Sequence, residues 1–176
     1  VIITVNPTPV LDVTVSGANP ICVGQTSALF FPVTSGTPPY NLSYLAGTTS
    51  STANVDAVGN IVSTGTTQPI FPIITTNYTL VSVTDAKGCT NTLSNSAQLV
   101  VNELPIVDIS GTTEICDQDV TQLYFNFTGG NSPWDVYYNV NGTPNPNPFS
   151  TSYSTDSLPV SPTTTTVYTV TSVSDI

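Results

Sequence analysis

Glu114, Asp117 and Asp119 fall within six residues of one another in the stretch EICDQD. Three carboxylates at that density are an oxygen-donor set of the kind calcium takes. A solvated acidic loop is the other reading, and the stretch that corresponds to it earlier in the chain, PICVGQ, carries no carboxylate. Tyr40 and Trp134 each follow a proline at the head of a strand-like segment. An exposed aromatic ring there would stack on a sugar, whereas a buried one would anchor a core. Cys22, Cys89 and Cys116 complete the residues with chemistry of their own.

What is missing narrows the choice. Histidine is absent, which removes a Ser/His/Asp triad, a Cys/His pair and any zinc site with imidazole ligands. Lys87 is the only cation against 11 acidic residues, so the chain cannot neutralise a run of phosphates, and neither nucleic acid nor an anionic membrane surface is an expected partner. No two acids recur in both halves of the sequence with the surroundings a glycosidase pair needs. No catalytic residue, no cofactor and no enzymatic activity are therefore expected. No apolar run is long enough to cross a bilayer, so direct membrane insertion is not expected either.

The elements that would position these residues come in two copies. PVLDVTVSGANPICVGQ from Pro9 aligns with PIVDISGTTEICDQD from Pro105, and TTNYTLVSVTDAKGC at residues 75–89 returns as TTTVYTVTSVSDI at residues 164–176. The offset is 96 at the prolines, 94 from Cys22 to Cys116 and 90 from Tyr78 to Tyr168, so the differences fall between conserved segments, where loops tolerate changes of length. VNPTP at residues 5–9 likewise matches VNELP at residues 101–105. The expected organisation is the last strand of a preceding repeat over residues 1–8, a complete repeat over 9–104, and a second repeat over 105–176 that stops before its last strand.

The 31 Thr and 19 Ser, with many Asn, Gly and Pro, suit half-exposed strands and tight turns. No stretch keeps a helical apolar period. Strands are expected near residues 10–16, 27–33, 40–45, 55–64 (a hairpin about Gly59 and Asn60), 70–75, 78–84 and 97–103. Seven strands in some 95 residues is the count of an immunoglobulin-like sandwich, so the fold class expected is all-β, with tandem immunoglobulin-like β-sandwich repeats. In NYTLVSVTD, alternation sets Tyr78, Leu80 and Ser82 against Thr79, Val81 and Val83, which implies a central strand apolar on much of both faces. Asp85 and Asp175 close this strand in the two copies, where a carboxylate can accept amide hydrogens from the turn.

An odd number of cysteines directs attention to pairing. Cys22 precedes the second strand and Cys89 follows the sixth, and both belong to the complete repeat. A disulfide between them is expected, closing a loop of about 67 residues and contributing about 4 kcal/mol through loop entropy; free, buried thiols are the alternative. Cys116 is the counterpart of Cys22 and is expected to be unpaired because its partner would lie past residue 176.

With GTPPYNLSY and YTLVSVTDAKGC in the first copy, and EIC, GGNSPWDVYY and SPTTTTVYTVTSVSD in the second, the chain resembles the tandem Ig-like and PKD-like repeats of giant Bacteroidota cell-surface proteins. These include gliding-motility adhesins and other substrates of the type IX secretion system. It departs from the PKD pattern at Trp134, which is followed by Asp135 and Val136. The resemblance implies secretion, association with the outer membrane on the cell surface, and a stalk or adhesive role. It also implies an O-glycan on Ser157, within Asp156, Ser157 and Leu158. The proline-rich stretch TPNPNPF at residues 143–149 has no match in the first copy and reads as a rigid connector or a variable binding loop. The leading functional expectation is a structural segment of a long surface filament whose partners are neighbouring repeats of the same chain, other copies in a filament, and surface polysaccharide or other cells. The alternative is a carbohydrate-binding module acting through Tyr40 and Trp134.

Overall fold

The computed structural model describes residues 1–111 and 114–176. Among them there is no helix. In chain order the strands are β1 (Val10–Leu11), β2 (Thr14–Val15), β3 (Ile21–Cys22), β4 (Ser27–Phe30), β5 (Val33–Ser35), β6 (Tyr40–Ala46), β7 (Thr49–Val55), β8 (Gln68–Ile70), β9 (Thr76–Thr84), β10 (Thr90–Thr92), β11 (Ser96–Leu99), β12 (Val101–Asn102), β13 (Ile106–Ser110), β14 (Thr121–Thr128), β15 (Trp134–Val140), β16 (Thr143–Pro144), β17 (Phe149–Thr151), β18 (Thr155–Val160) and β19 (Tyr168–Ser174). They form two compact units, Val1–Asn102 and Glu103–Ile176.

In the first unit one sheet runs β7, β6, β9, with β10 and β11 both on the far edge of β9. The facing sheet runs β2, β4, β8, extended by the short pair β1 and β5. Inward residues alternate along each strand as a half-buried sheet requires: Tyr40, Leu42 and Tyr44 on β6, Leu29 on β4 and Phe31 just past its end all lie in one core with Leu11, Leu80, Val83 and Leu99. The second unit repeats the plan. Its sheets run β13, β14, β18 and, opposite, β16 and β17 on one edge of β15 with β19 on the other. Leu123, Phe125 and Phe127 of β14 pack on Trp134 and Val136 of β15, and the stacked rings of Phe127 and Trp134 lie 5.0 Å apart between centroids. This order of strands, split between two antiparallel sheets, is an immunoglobulin-like sandwich built twice.

Three expectations about elements change. The strand at residues 78–84 is not apolar on both faces. The register of β6 against β9 slips between Ser43 and Tyr44, so that Ser82 and Leu80 face consecutive residues and Val81 is the extra one. A bulge of this kind reverses the alternation. Tyr78, Leu80 and Val83 therefore all enter the core, while Val81 is 42% exposed. The second unit has the same slip between Tyr137 and Tyr138, with Thr171 as the extra residue.

The expected hairpin over 55–64 is present only in short form: Val55 bridges Ile61 in antiparallel fashion, the Val62 amide bonding the Asn54 carbonyl at 2.9 Å, about a turn in which the Asp56 carboxylate accepts the amides of Val58, Gly59 and Asn60 at 2.8–3.0 Å, and the strand that leads into it, β7, reaches back to Thr49. Strand β7 reads TSSTANV, polar except for buried Ala53 and Val55, a composition that hides an edge strand from pattern reading. Finally, the strand expected over 70–75 is β8, ending at Ile70; Phe71, Ile73 and Ile74 are exposed.

The bulge yields a test. Leu80→Ala should cost about 2–5 kcal/mol by urea unfolding, as for other buried leucines, whereas Val81→Ala should change stability by about 0.5 kcal/mol or less. Equal losses would contradict the reversed alternation.

Candidate functional site

A feature that recurs in both units is a clasp, an aspartate at one end of the sandwich that accepts an amide from across the sheet. At the end of β9 the Asp85 side chain, 5% exposed, accepts the amide of Lys87 and that of Cys89, each at 2.9 Å, and reaches across to the amide of Thr37 at 3.1 Å. The Ala86 amide returns a bond to the Thr37 carbonyl at 3.0 Å. Burial opposes ionisation of Asp85, but the amides of Cys89, Thr37 and Lys87, with the Lys87 charge, outweigh it and hold the carboxyl below the ordinary carboxylate range. In the second unit Asp175 accepts the Asn131 amide at 2.6 Å, and Asn131 is the counterpart of Thr37 at the same 94-residue offset. Sequence reading placed Asp85 and Asp175 at the turn but missed the crossing partners. The paired SG and GG just before them were the signal. Gly36 has φ +109°, and a Cβ there would sit 2.8 Å from the Tyr40 ring and 2.9 Å from Pro9; at Gly130, φ +65°, it would meet the Asp175 carboxylate at 2.6 Å.

The cysteines are not joined: Cys22, Cys89 and Cys116 are all free thiols. The expected Cys22–Cys89 bridge fails on geometry. Strand β3 pairs with β12, and Val101 of β12 donates its amide to Thr75 Oγ1 at 3.0 Å, so Cys22 sits at the end where β9 begins. Cys89 follows the turn where β9 finishes, its neighbour Thr90 pairing with Thr84. Nine residues of strand at about 3.3 Å each separate the two ends, far beyond the Cα separation of about 7 Å a disulfide spans. Preceding the second strand and following the sixth are opposite ends of this sandwich, because those two strands run the same way. Cys116, which is exposed, therefore awaits no partner on the pattern of the first unit.

Tyr40 and Trp134 are core residues, 3% and 8% exposed. Burial, and secondarily the Asp85 charge, raise the Tyr40 phenol above its ordinary pKa. Neither ring offers a face to a sugar, and the carbohydrate-binding alternative loses the residues it was built on. Glu114, Asp117 and Asp119 are exposed, Asp119 accepting the Cys116 amide at 3.3 Å within its own turn. Among the described residues no three metal-ligating side chains converge. On β18, Asp156 and Leu158 pair with the inward residues Phe125 and Leu123, which leaves Ser157 on the outer face beside Tyr124. Asp156 accepts bonds from Thr151 Oγ1 and the Ser157 amide, which hold its carboxyl low against desolvation. The proline-rich stretch supplies β16 and the start of β17 on the edge of β15 that β7 takes on β6, and Phe149 stacks on Phe125 at 4.5 Å.

In the first unit β10 and β11 pair along the outer edge of β9 and β12 pairs with β3, with Leu99 fully buried and Val101 beside buried Ile21. In the second, no strand among the described residues lies on the outer edge of β19. A cleft of about 880 Å³ opens there, lined in part by Ile109, Ile115, Cys116, Thr165, Val167 and Tyr168. Ile115 and Thr165 correspond to Ile21 and Thr75, the residues that flank Val101 in the first unit. Tyr168, Val170 and Val173 are only partly buried, whereas Tyr78, Leu80 and Val83 are buried.

The strand order defines the class as tandem immunoglobulin-like sandwiches. No family model matches the chain, and no curated protein matches it. Among solved structures it is similar to the N-terminal eight Ig domains of Down Syndrome Cell Adhesion Molecule (DSCAM), isoform 1.30.30, at 15% identity and a TM-score of 0.42; the match covers 75% of this chain and 20% of that one.

Two measurements follow. Asp85 has a lowered folded-state pKa, so its contribution to stability is complete above the unfolded carboxyl value of about 3.9 and is lost as pH falls through the folded value. Asp85→Asn should flatten the acid limb of the stability curve below about pH 4; an unchanged limb would remove the clasp from the account. Thiol labelling of the native chain without reductant should modify Cys116 first and leave no cysteine that needs reduction before it reacts in denaturant.

Proposed function

We propose that the chain is a structural repeat segment of a long extracellular filament or adhesin stalk, projecting a binding region away from the cell that makes it. The observation that carries this reading is the duplication itself: two sandwiches with the same bulge in the central strand and an aspartate bond across the same end follow one another with only residues 103–105 between β12 and β13. A three-residue junction ending in Pro105 limits bending far more than a Gly/Ser tether of ordinary length.

The side chains favour a spacer over an enzyme. Polarity comes from Thr, Ser and Asn instead of charge, the sole cation is Lys87, and the buried polar machinery consists of turn and clasp bonds. The resemblance of GGNSPWDVYY and SPTTTTVYTVTSVSD to repeats of Bacteroidota surface proteins supports secretion by the type IX route, attachment at the outer membrane, and neighbouring repeats as the principal partners. Surface polysaccharide or other cells would be met by the region the stalk carries. Ser157, on the outer face of β18, is placed where a glycan would not disturb the core.

Immunogold labelling of intact source cells with antibodies to this chain is expected to place the label outside the outer membrane. Label confined to the cytoplasm, appearing only after lysis, would contradict the proposal.

A further inference from the structure

We infer that the turn Asn141–Gly142 is a site of spontaneous deamidation, at which an amide side chain becomes a carboxylate without an enzyme. This inference does not depend on the surface location proposed above. Asn141 is the one asparagine of the chain followed by glycine. A glycine in that place has no Cβ to keep its backbone nitrogen from the carbonyl carbon of the preceding side chain. The turn joins β15 to β16: Val140 pairs with Thr143, so Asn141 and Gly142 are its two central residues. Their φ values of +50° and +80° are the left-handed pair that a two-residue hairpin loop requires.

Three features of the turn favour the reaction. Both residues are exposed, and a Cβ built at Gly142 would meet nothing within 4 Å, so water and hydroxide reach the site. The Gly142 amide enters no backbone bond among the described residues, which leaves its nitrogen free to attack. Asn141 Oδ1 accepts the Val167 amide at 2.8 Å; a donor at that oxygen draws electron density from Cγ and holds the negative charge that collects there when a nucleophile adds. The fold itself does not need an asparagine here. Gly47 holds the equivalent place in the first unit, at φ +61°, and its amide bonds the Asn77 carbonyl at 2.8 Å as the Asn141 amide bonds that of Val167 at 2.8 Å. The step balances with water alone. Hydroxide takes the Gly142 amide proton, the nitrogen bonds Cγ of Asn141, and the bond from Cγ to Nδ2 breaks as ammonia leaves with a proton from water. Water then opens the cyclic imide at either carbonyl, giving aspartate or isoaspartate and one added negative charge. Isoaspartate carries the main chain through Cγ, one carbon longer in a turn whose length sets the register of β15 against β16.

Incubation of the folded full chain in mildly alkaline buffer tests this, with the same chain in urea as the clock for the sequence alone. Peptide mapping by mass spectrometry is expected to show Asn141 converted ahead of every other asparagine, with isoaspartate the main product, and isoelectric focusing to show a new, more acidic band. Asn141→Gly, which copies the first unit at this place, should unfold at the same urea concentration as the fresh chain and lose that band. Three results would overturn the inference: an Asn141 still intact in the folded chain when the chain in urea has converted, conversion of Asn60 or Asn131 in the folded chain at the rate of Asn141, or an acidic band undiminished in Asn141→Gly.

Discussion

Pairing along both edges of the long central strand is the constraint on which the rest of each sandwich depends. In the first unit β9 bonds to β6 on one side and to β10 and β11 on the other, and its inward residues Tyr78, Leu80 and Val83 are sealed against the facing sheet. In the second unit the same strand is paired on one side only among the described residues, and the same inward positions are partly open. Leu99 and Val101 of the first unit contribute to the core as well as to that edge.

The bulge and the clasp both serve that central strand. Without the extra residue Val81, alternation would turn Val83 outward and break the apolar face halfway along β9; with it, the strand stays one-sided over its whole length. At its end, Asp85 gathers three amides from two segments, so the loop before β6 and the turn after β9 are fixed by one side chain. A short carboxylate does this because, once ionised, it offers several lone pairs to converging amides. The bulge recurs at Thr171 and the crossing amide bond recurs at Asp175, so both belong to the fold plan and not to one unit's local sequence.

Much of this plan was legible in the residues. The duplication, the all-β class, the strands on either side of Tyr40 and Trp134, and the turn role of Asp85 all follow from spacing and side-chain type. What stayed hidden has physical causes. Strand β7 buries only one face of an edge and is written in Ser, Thr and Asn, so it carries almost no apolar signal. Phe71, Ile73 and Ile74 carry a strong one and yet lie outside the sheet. The bulge cannot be seen in a strand read alone, because it exists only in the register against β6. The cysteines misled because order along the chain does not say at which end of a sandwich a residue falls; the direction of the strands does.

Hydrogen exchange, resolved by strand, tests the central claim most directly: that bonding along both edges holds the central strand of the first unit. The amides of β9 that bond to β6, β10 and β11 should be among the slowest of that unit to exchange, far behind those of residues 71–75, which lie outside the sheet. Exchange of β9 as fast as that of residues 71–75 would contradict the account.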